Sequence, residues 1–363
     1  MSSMIGERLR ISIFGQSHGE VIGVVMDGLP AGERIDTEEL QRFLERRAPG
    51  RNAMATSRQE RDVPQFLSGI AEGVTCGAPL CAMIENKDVH SEDYSQMKDL
   101  MRPSHADYPA RVRYAGYEDV RGGGRFSGRL TAPLCIAGGI AKQILARHGI
   151  FVGAHVEAIG TVRDSRFSSA DLTKEELFSP LTDDIPLLDK SRAADMQAEI
   201  AAARTEGDSI GGLIECAVIG VPAGIGDPMF GGMENRFSAM LFGIPGMRGI
   251  EFGAGFAAVE MRGSQHNDPY RMCGAGIKTE TNNHGGILGG MTTGMPIVFR
   301  VAMKPTPSIA REQKTINIAT GENAVLSIEG RHDPCIAVRA VPCVEAAAAL
   351  VILDSILTEK GNG

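Results

Sequence analysis

The sequence lacks a C-x-x-C pair, a Walker phosphate loop, an excess of positive charge and any apolar run long enough to span a bilayer. Each absence closes a class of function. Cys76, Cys81, Cys135, Cys216, Cys273, Cys335 and Cys343 are odd in number and irregularly spaced, which argues against a disulfide framework and against a zinc site. Most are expected to be buried, reduced thiols of a cytoplasmic protein. A formal net charge of −8 excludes a general nucleic-acid binder, whose phosphate contacts call for a basic surface. The stretch Met1 to Arg10 has no apolar core of signal-peptide length. The most apolar late run, Ala346 to Leu353, is too short to cross a membrane and is bracketed by Glu345 and Asp354, so it reads as a buried helix. Gly122-Gly123-Gly124 does not follow the dinucleotide-binding spacing either, and no common nucleotide motif remains.

What is present is a set of glycine- or proline-stiffened loops carrying Arg, Lys, His, Ser and Thr. The densest is Arg121-Gly122-Gly123-Gly124-Arg125-Phe126-Ser127-Gly128-Arg129-Leu130-Thr131. Glycine lets a backbone approach a ligand closely, and Arg offers a planar fork of donors matched to phosphate or carboxylate. The helix predicted over Leu130–His148 would add its dipole to such an anion site. Taken alone, the stretch is better explained as a solvated basic loop. The same composition elsewhere in the chain favours a ligand.

Those other places come in order. Leu9–Phe14 alternates as a half-buried strand and ends at Gly15-Gln16-Ser17-His18-Gly19, which displays His18 between glycines. Val21–Met26 reads as a second strand. Asp36 caps a helix, with Glu39 at the capping-box position, that runs to Arg46-Arg47; Arg51, Arg58 and Arg61 follow in a loop read as closing over an anion. Pro79–Ile84 is a further strand. Arg102-Pro103-Ser104-His105-Ala106-Asp107 sets His105 between an Arg and a carboxylate, the surroundings a general acid or base needs, although a capping Asp beside a surface His has the same pattern. Phe151–Ile159 reads as a strand, Ser165–Leu188 as a peripheral excursion and Leu188–Arg204 as a helix. The second half then repeats the grammar of the first: strand Leu213–Val221, helix Glu234–Phe242 and the glycine loop at Gly243–Gly249, which hints at internal duplication. Asn282–Gly290 suits either a flat ligand or tight packing at a strand crossing. Ile297–Met303 is a strand ending at Lys304-Pro305-Thr306-Pro307-Ser308, and Arg331-His332-Asp333-Pro334-Cys335 precedes a final helix, Val344 to Leu357. The inventory fits a pocket for a ligand with several negative charges, where proton transfer and loss of an oxyanion are catalysed, with Asp333 as the candidate carboxylate.

Six of these segments, Gly15–Gly19, Arg102–Asp107, Arg121–Thr131, Asn283–Gly290, Lys304–Ser308 and Gly330–Cys335, resemble in order the signature segments of the chorismate synthase family. The resemblance implies an α+β fold, a β-α-β sandwich with internal pseudo-duplication, in one domain over 1–363. It implies a homotetrameric, cytoplasmic lyase of the shikimate pathway. That lyase converts 5-enolpyruvylshikimate 3-phosphate to chorismate and phosphate by anti 1,4-elimination, with reduced FMN required. NADPH is a candidate reductant and an external flavin reductase a candidate partner; no nucleic acid or membrane is implied. Carried over by motif, His18 protonates or stabilises the departing phosphate, His105 stands near the flavin, and Asp333 assists proton removal through flavin N5. Arg47, Arg102, Arg129 and Arg331 bind substrate anions. FMN is held by Arg125, Phe126, Ser127, Pro245, Gly246, Gly289, Arg331 and the turn Lys304, Pro305, Thr306, Pro307, Ser308. The sequence departs from the family pattern at Gln16, Ala53, Ser104, Phe126 and Gly128. An FMN reductase or a non-catalytic anion-binding protein would account for part of the inventory, but not for both histidine loops together with the arginines.

Overall fold

The computed structural model describes residues 3–48, 61–86, 98–182, 184–274, 276–328 and 333–362. The first half builds β1 (Met4–Ile5), β2 (Arg10–Gly15), β3 (Val21–Asp27), α1 (Thr37–Arg47), β4 (Gln65–Ser68), a small hairpin of β5 (Ile70–Ala71) and β6 (Val74–Thr75), then β7 (Leu80–Glu85), α2 (Asp107–Tyr114) and α3 (Thr131–Arg147). Its sheet is antiparallel, in the order β1-β2-β3-β7-β4. The second half repeats a five-stranded antiparallel sheet, β11-β16-β10-β8-β9, from β8 (Phe151–Ile159), β9 (Val162–Arg163), β10 (Gly212–Ile219), β11 (Met247–Phe252) and β16 (Ile297–Met303). Between and around these strands lie α4 (Lys174–Phe178), α5 (Ala193–Thr205), α6 (Met233–Leu241) and α7 (Gly263–His266). Three further hairpins complete them: β12 (Tyr270–Cys273) with β13 (Gly276–Thr279), β14 (Ile287–Leu288) with β15 (Met291–Thr292), and β17 (Gln313–Asn317) with β18 (Glu322–Leu326).

Helices α3 and α8 (Ala337–Asn362) fill the space between the sheets, α3 against β3 and β7, α8 against β8 and β10. A β-α-β sandwich results, the two sheets echoing each other as the repeated sequence grammar predicts. Both helices are apolar all round, as helices enclosed on every side must be. Among the described residues α8 is long and apolar enough to cross a membrane, but its most apolar window is 83% buried inside the protein. The small residues of α3 explain how closely the helices meet. A Cβ at Gly138 would lie 2.2 Å from that of Ala346 on α8, and one at Gly139 2.5 Å from Leu40 Cδ1 on α1. Consecutive glycines thus admit a helix on each of two sides. Asp354, near the end of α8, accepts the backbone N–H groups of Glu7, Arg8 and Leu9 and so ties the last helix to the first strands.

Two helix starts differ by five residues or more. The final helix starts at Ala337 rather than Val344, running through Pro342. Helix α5 begins at Ala193 because Asp189 caps a separate 3-10 turn over Lys190–Arg192. The excursion 165–188 packs Phe167, Leu172 and Leu177 as a satellite cluster against Ala217 and Val298, outside the main core. All seven cysteines are free; as expected most are buried, namely Cys135, Cys216, Cys335 and Cys343, while Cys76 and Cys273 are exposed.

Candidate active site

The triple-glycine loop sits between the two histidines. Gly122, Gly123 and Gly124 have φ of 59°, 86° and 51°, a left-handed run that side chains resist. Space forbids side chains too: a Cβ on Gly122 would fall 2.1 Å from His18 Cε1, and one on Gly123 3.2 Å from His105 Nε2. The loop is fixed to the first histidine segment by the Ser17 N–H, which donates to the Gly124 carbonyl at 3.0 Å. His18 is buried, its Nδ1 3.2 Å from Ser17 Oγ. His105 Nδ1 lies 2.5 Å from Asp107 Oδ1, and the same carboxylate takes two hydrogen bonds from the Arg102 guanidinium, each 2.7 Å. Burial pushes Asp107 up, but its bonds to Arg102 and His105 prevail and hold it well below the usual carboxylate range.

From His18 the network continues through buried arginines. Asn86 Nδ2 donates to the Gln16 and Gly19 carbonyls, and its Oδ1 accepts from Arg129 Nε at 3.0 Å. Arg129 also pairs with Asp62, whose other oxygen accepts from Arg47 NH1 at 2.6 Å. Asp62 is 1% exposed. Burial alone would raise its pKa, yet the two guanidiniums override that and keep it ionised below the ordinary range. Arg47 reaches Thr131 Oγ1 and the Gly128 carbonyl as well, so the end of α1 is locked to the start of α3. Arg339 donates Nε to the Arg47 carbonyl and NH1 to Asp333 Oδ2, both at 3.0 Å. Burial lifts the pKa of Asp333, and Arg339 offsets only part of that rise.

The circuit closes through the 304–308 turn. Thr306 Oγ1 donates to the Asp333 carbonyl at 3.1 Å, and Lys304 Nζ donates to the Ser104 carbonyl beside His105. The Lys304 N–H meets the Gly246 carbonyl, which brings in the loop of Pro245 and Gly246. Hydrogen bonds and loop contacts therefore join His18, Arg129, Arg47, Asp333, Lys304 and His105 in one ring, although 315 positions separate the first and last of them in sequence (18 and 333).

A family model for chorismate synthase matches residues 9–357. The chain belongs to the chorismate synthase family. It is 44% identical to the chorismate synthase of Korarchaeum cryptofilum, over 98% of this chain and 97% of that one. The chorismate synthase of Thermococcus kodakarensis is 46% identical, over 98% of each, and that of Lancefieldella parvula 44%, over 98% and 96%. A crystal structure of chorismate synthase superposes with a TM-score of 0.77 at 26% identity, covering 98% of this chain and 94% of that one. The sandwich with two similar sheets is thus the chorismate synthase fold.

Of the residues predicted from the chorismate synthase motifs, His18, His105, Asp333, Arg47, Arg102 and Arg129 all fall within the ring or directly on it. Arg331, with His332, Arg51, Ala53 and Arg58, lies outside the described residues. Ser127 caps the short turn that presents Arg129, accepting its N–H at 3.2 Å. Arg125 meets Ser3, and the Phe126 ring lies 6.4 Å from that of Tyr114. Gly289 stands apart. Its neighbour Gly290 accepts from Met233 at the start of α6, whereas Pro245 follows the end of that helix, about 13 Å along it at 1.5 Å per residue. Within Asn282–Gly290, backbone crowds Gly285, Gly286 and Gly290, so tight packing accounts for them; only at Gly289 is there open space, with Met291 Cε at 3.9 Å. Sequence reasoning missed Asp62, Asn86 and Arg339. None sits in a distinctive local pattern; the usable signal was the surplus of arginines, which required a buried counter-charge.

Proposed function

We propose that this chain converts 5-enolpyruvylshikimate 3-phosphate to chorismate and phosphate by anti 1,4-elimination, with reduced FMN required, at the last common step of the shikimate pathway. The observation that carries the reading is the ring itself: two histidines on either side of one glycine loop, continuous with buried arginines and a carboxylate of raised pKa. The substrate bears a phosphate and two carboxylates, and Arg47, Arg102 and Arg129 supply the matching positive charge in a water-poor setting where it acts strongly. His18, with Nδ1 engaged by Ser17, gives a proton from Nε2 to the departing phosphate. Asp107 holds the proton on His105 Nδ1, which leaves Nε2 toward the glycine loop. Asp333, destabilised as an anion by burial, is suited to accept the proton lost from carbon.

The residues fit a flavin. Arg125 and Lys304 offer cations, Phe126 is an exposed ring, and the Gly246 and Lys304–Ser308 backbone adjoins the His105 loop. These residues, with Ser127, Pro245 and Arg331, would hold FMN; Gly289 would do so from its open turn. When bound, the reduced cofactor supplies transient electron density to the substrate.

We further infer a homotetramer of single-domain chains, 1–363, working in the cytoplasm. One hydrophobic cluster runs from Leu9 to Leu353, supporting a single domain. Exposed apolar side chains at Phe230, Phe256 and the β12–β13 hairpin (Tyr270, Met272, Ile277) support coverage by other copies. NADPH, or a separate reductase, would reduce the FMN.

The test is anaerobic incubation with chemically reduced FMN, measuring phosphate and chorismate together. Equal release is expected. His18→Ala is expected to lose turnover by about 10²–10⁴-fold while still binding FMN. Absence of both products with FMN bound would overturn the reading and leave the flavin-reductase alternative.

A further inference from the structure

Away from the histidine and arginine ring, a cavity of about 410 Å³ opens between α1, α3 and the start of β8. Its walls are mostly apolar, from Leu40, Phe43, Ile150, Phe151, Val152 and Phe178. Its size falls in the range of small-molecule sites. Two cations share one wall. Arg46 reaches Glu345 Oε1 at 2.5 Å, and Lys142 pairs with the other oxygen of the same carboxylate. Glu345 is fully buried, while the Arg46 and Lys142 side chains keep 16% and 17% of their exposure, on the cavity side. One carboxylate therefore serves two cations, and the wall retains one uncompensated positive charge. Lys142 is also 4.8 Å from the centre of the Phe43 ring, and Arg46 5.7 Å. Burial lowers the Lys142 pKa, Glu345 offsets only part of that and the repulsion of Arg46 adds to it, so an added negative charge would counter that repulsion. At the rim, Arg42 faces outward with Glu39 beside it; its contact with Glu38 is exposed and 4.0 Å long, too weak to neutralise it.

We propose that this cavity binds a small aromatic monocarboxylate, its ring among Phe43, Phe151 and Phe178 and its carboxylate against Lys142 and Arg46. The walls provide the apolar burial, and the surplus cation selects the anion over a neutral ring of the same shape. This site is separate from the ring of catalytic candidates and does not depend on the reaction assigned to them.

The probe is indole-3-propionate, titrated calorimetrically into the full-length protein beside its neutral amide; the chain has no tryptophan, so indole fluorescence reports the same binding. The carboxylate is expected to bind with Kd below about 1 mM and the amide about tenfold more weakly or worse. Lys142→Met, which leaves Arg46 and Glu345 as a one-to-one pair, should erase the difference between acid and amide. Ala146→Trp, followed by calorimetry alone because it adds an indole of its own, places a large side chain over the cavity from an exposed rim position and should abolish binding. No binding at about 5 mM, equal affinity for acid and amide, or binding that survives Ala146→Trp would overturn the proposal.

Discussion

Asp62 carries the heaviest electrostatic task of any single residue in the site. It is the carboxylate between Arg47 and Arg129, and without it two guanidiniums would face each other in a buried space. Asp62→Asn keeps the shape and removes the charge. The variant is expected to lose about 3–5 kcal/mol of stability, as broken buried pairs do. Inorganic phosphate should restore more of its Tm than it adds to the parent, because an anion replaces the missing charge; an identical phosphate response in both would refute this role. Ser104 makes a different residue-scale case. Its φ of 57° is left-handed, a conformation that costs a side chain about 1–2 kcal/mol. Ser104→Gly should therefore raise stability by about 1 kcal/mol or less after the entropy of glycine is counted, whereas Ser104→Ala should not. Thermal melts of the two variants decide. The histidine loops were legible in the sequence because glycine and proline mark their surroundings. Asp62 was not, since its partners lie 15 and 67 positions away and a counter-ion leaves no local pattern.

At the scale of elements, the approach of α3 to α8 sets the thickness of the sandwich. Gly138→Ala puts a methyl group 2.2 Å from the Ala346 Cβ and 2.3 Å from its Cα, where neither helix has a flexible atom to yield. A loss of about 1–3 kcal/mol is expected from overpacking. Gly263→Ala, with nothing within 4 Å, is the control and should leave the urea midpoint almost unchanged. Elements with a clear period and clear punctuation were legible: β8 and β16 have the predicted ends, and Asp36 caps α1 by accepting from Glu38 and Glu39, each at 2.9 Å. The start of α8 was not, because Pro342 reads as a break. In the structure it sits in the second turn, where the missing N–H forfeits one bond, toward Val338. Burial of a helix apolar on all faces outweighs that loss.

For the molecule as a whole, stability should depend on a proton held outside the ring of site residues. His155 on β8 is fully buried, with Asp164 Oδ2 at 3.1 Å and Glu215 Oε2 at 2.9 Å. Burial favours its neutral form, but hydrogen bonds to the two carboxylates prevail and raise its pKa from 6.5 to about 9. A pKa raised on folding gives stability that is complete below the unfolded value and is lost as pH climbs through the folded one. Tm should fall between pH 6.5 and about 9, and His155→Gln should flatten that part of the curve. A mutant curve parallel to the parent's would remove His155 as the cause. The doubled architecture was legible as a repeated grammar of strand, helix and glycine loop. The layering was not, because which helix enters between the sheets depends on contacts remote in sequence. Helix α8 has its own consequence for synthesis on the ribosome. Every other described element precedes it, yet it lies between the two sheets, and its Asp354 secures the backbone of Glu7, Arg8 and Leu9. A nascent chain can form both sheets but cannot close them on each other until this last helix has left the exit tunnel. Until then the apolar faces that α8 covers, one on α3 and one on β8 and β10, stay open to water and to other chains.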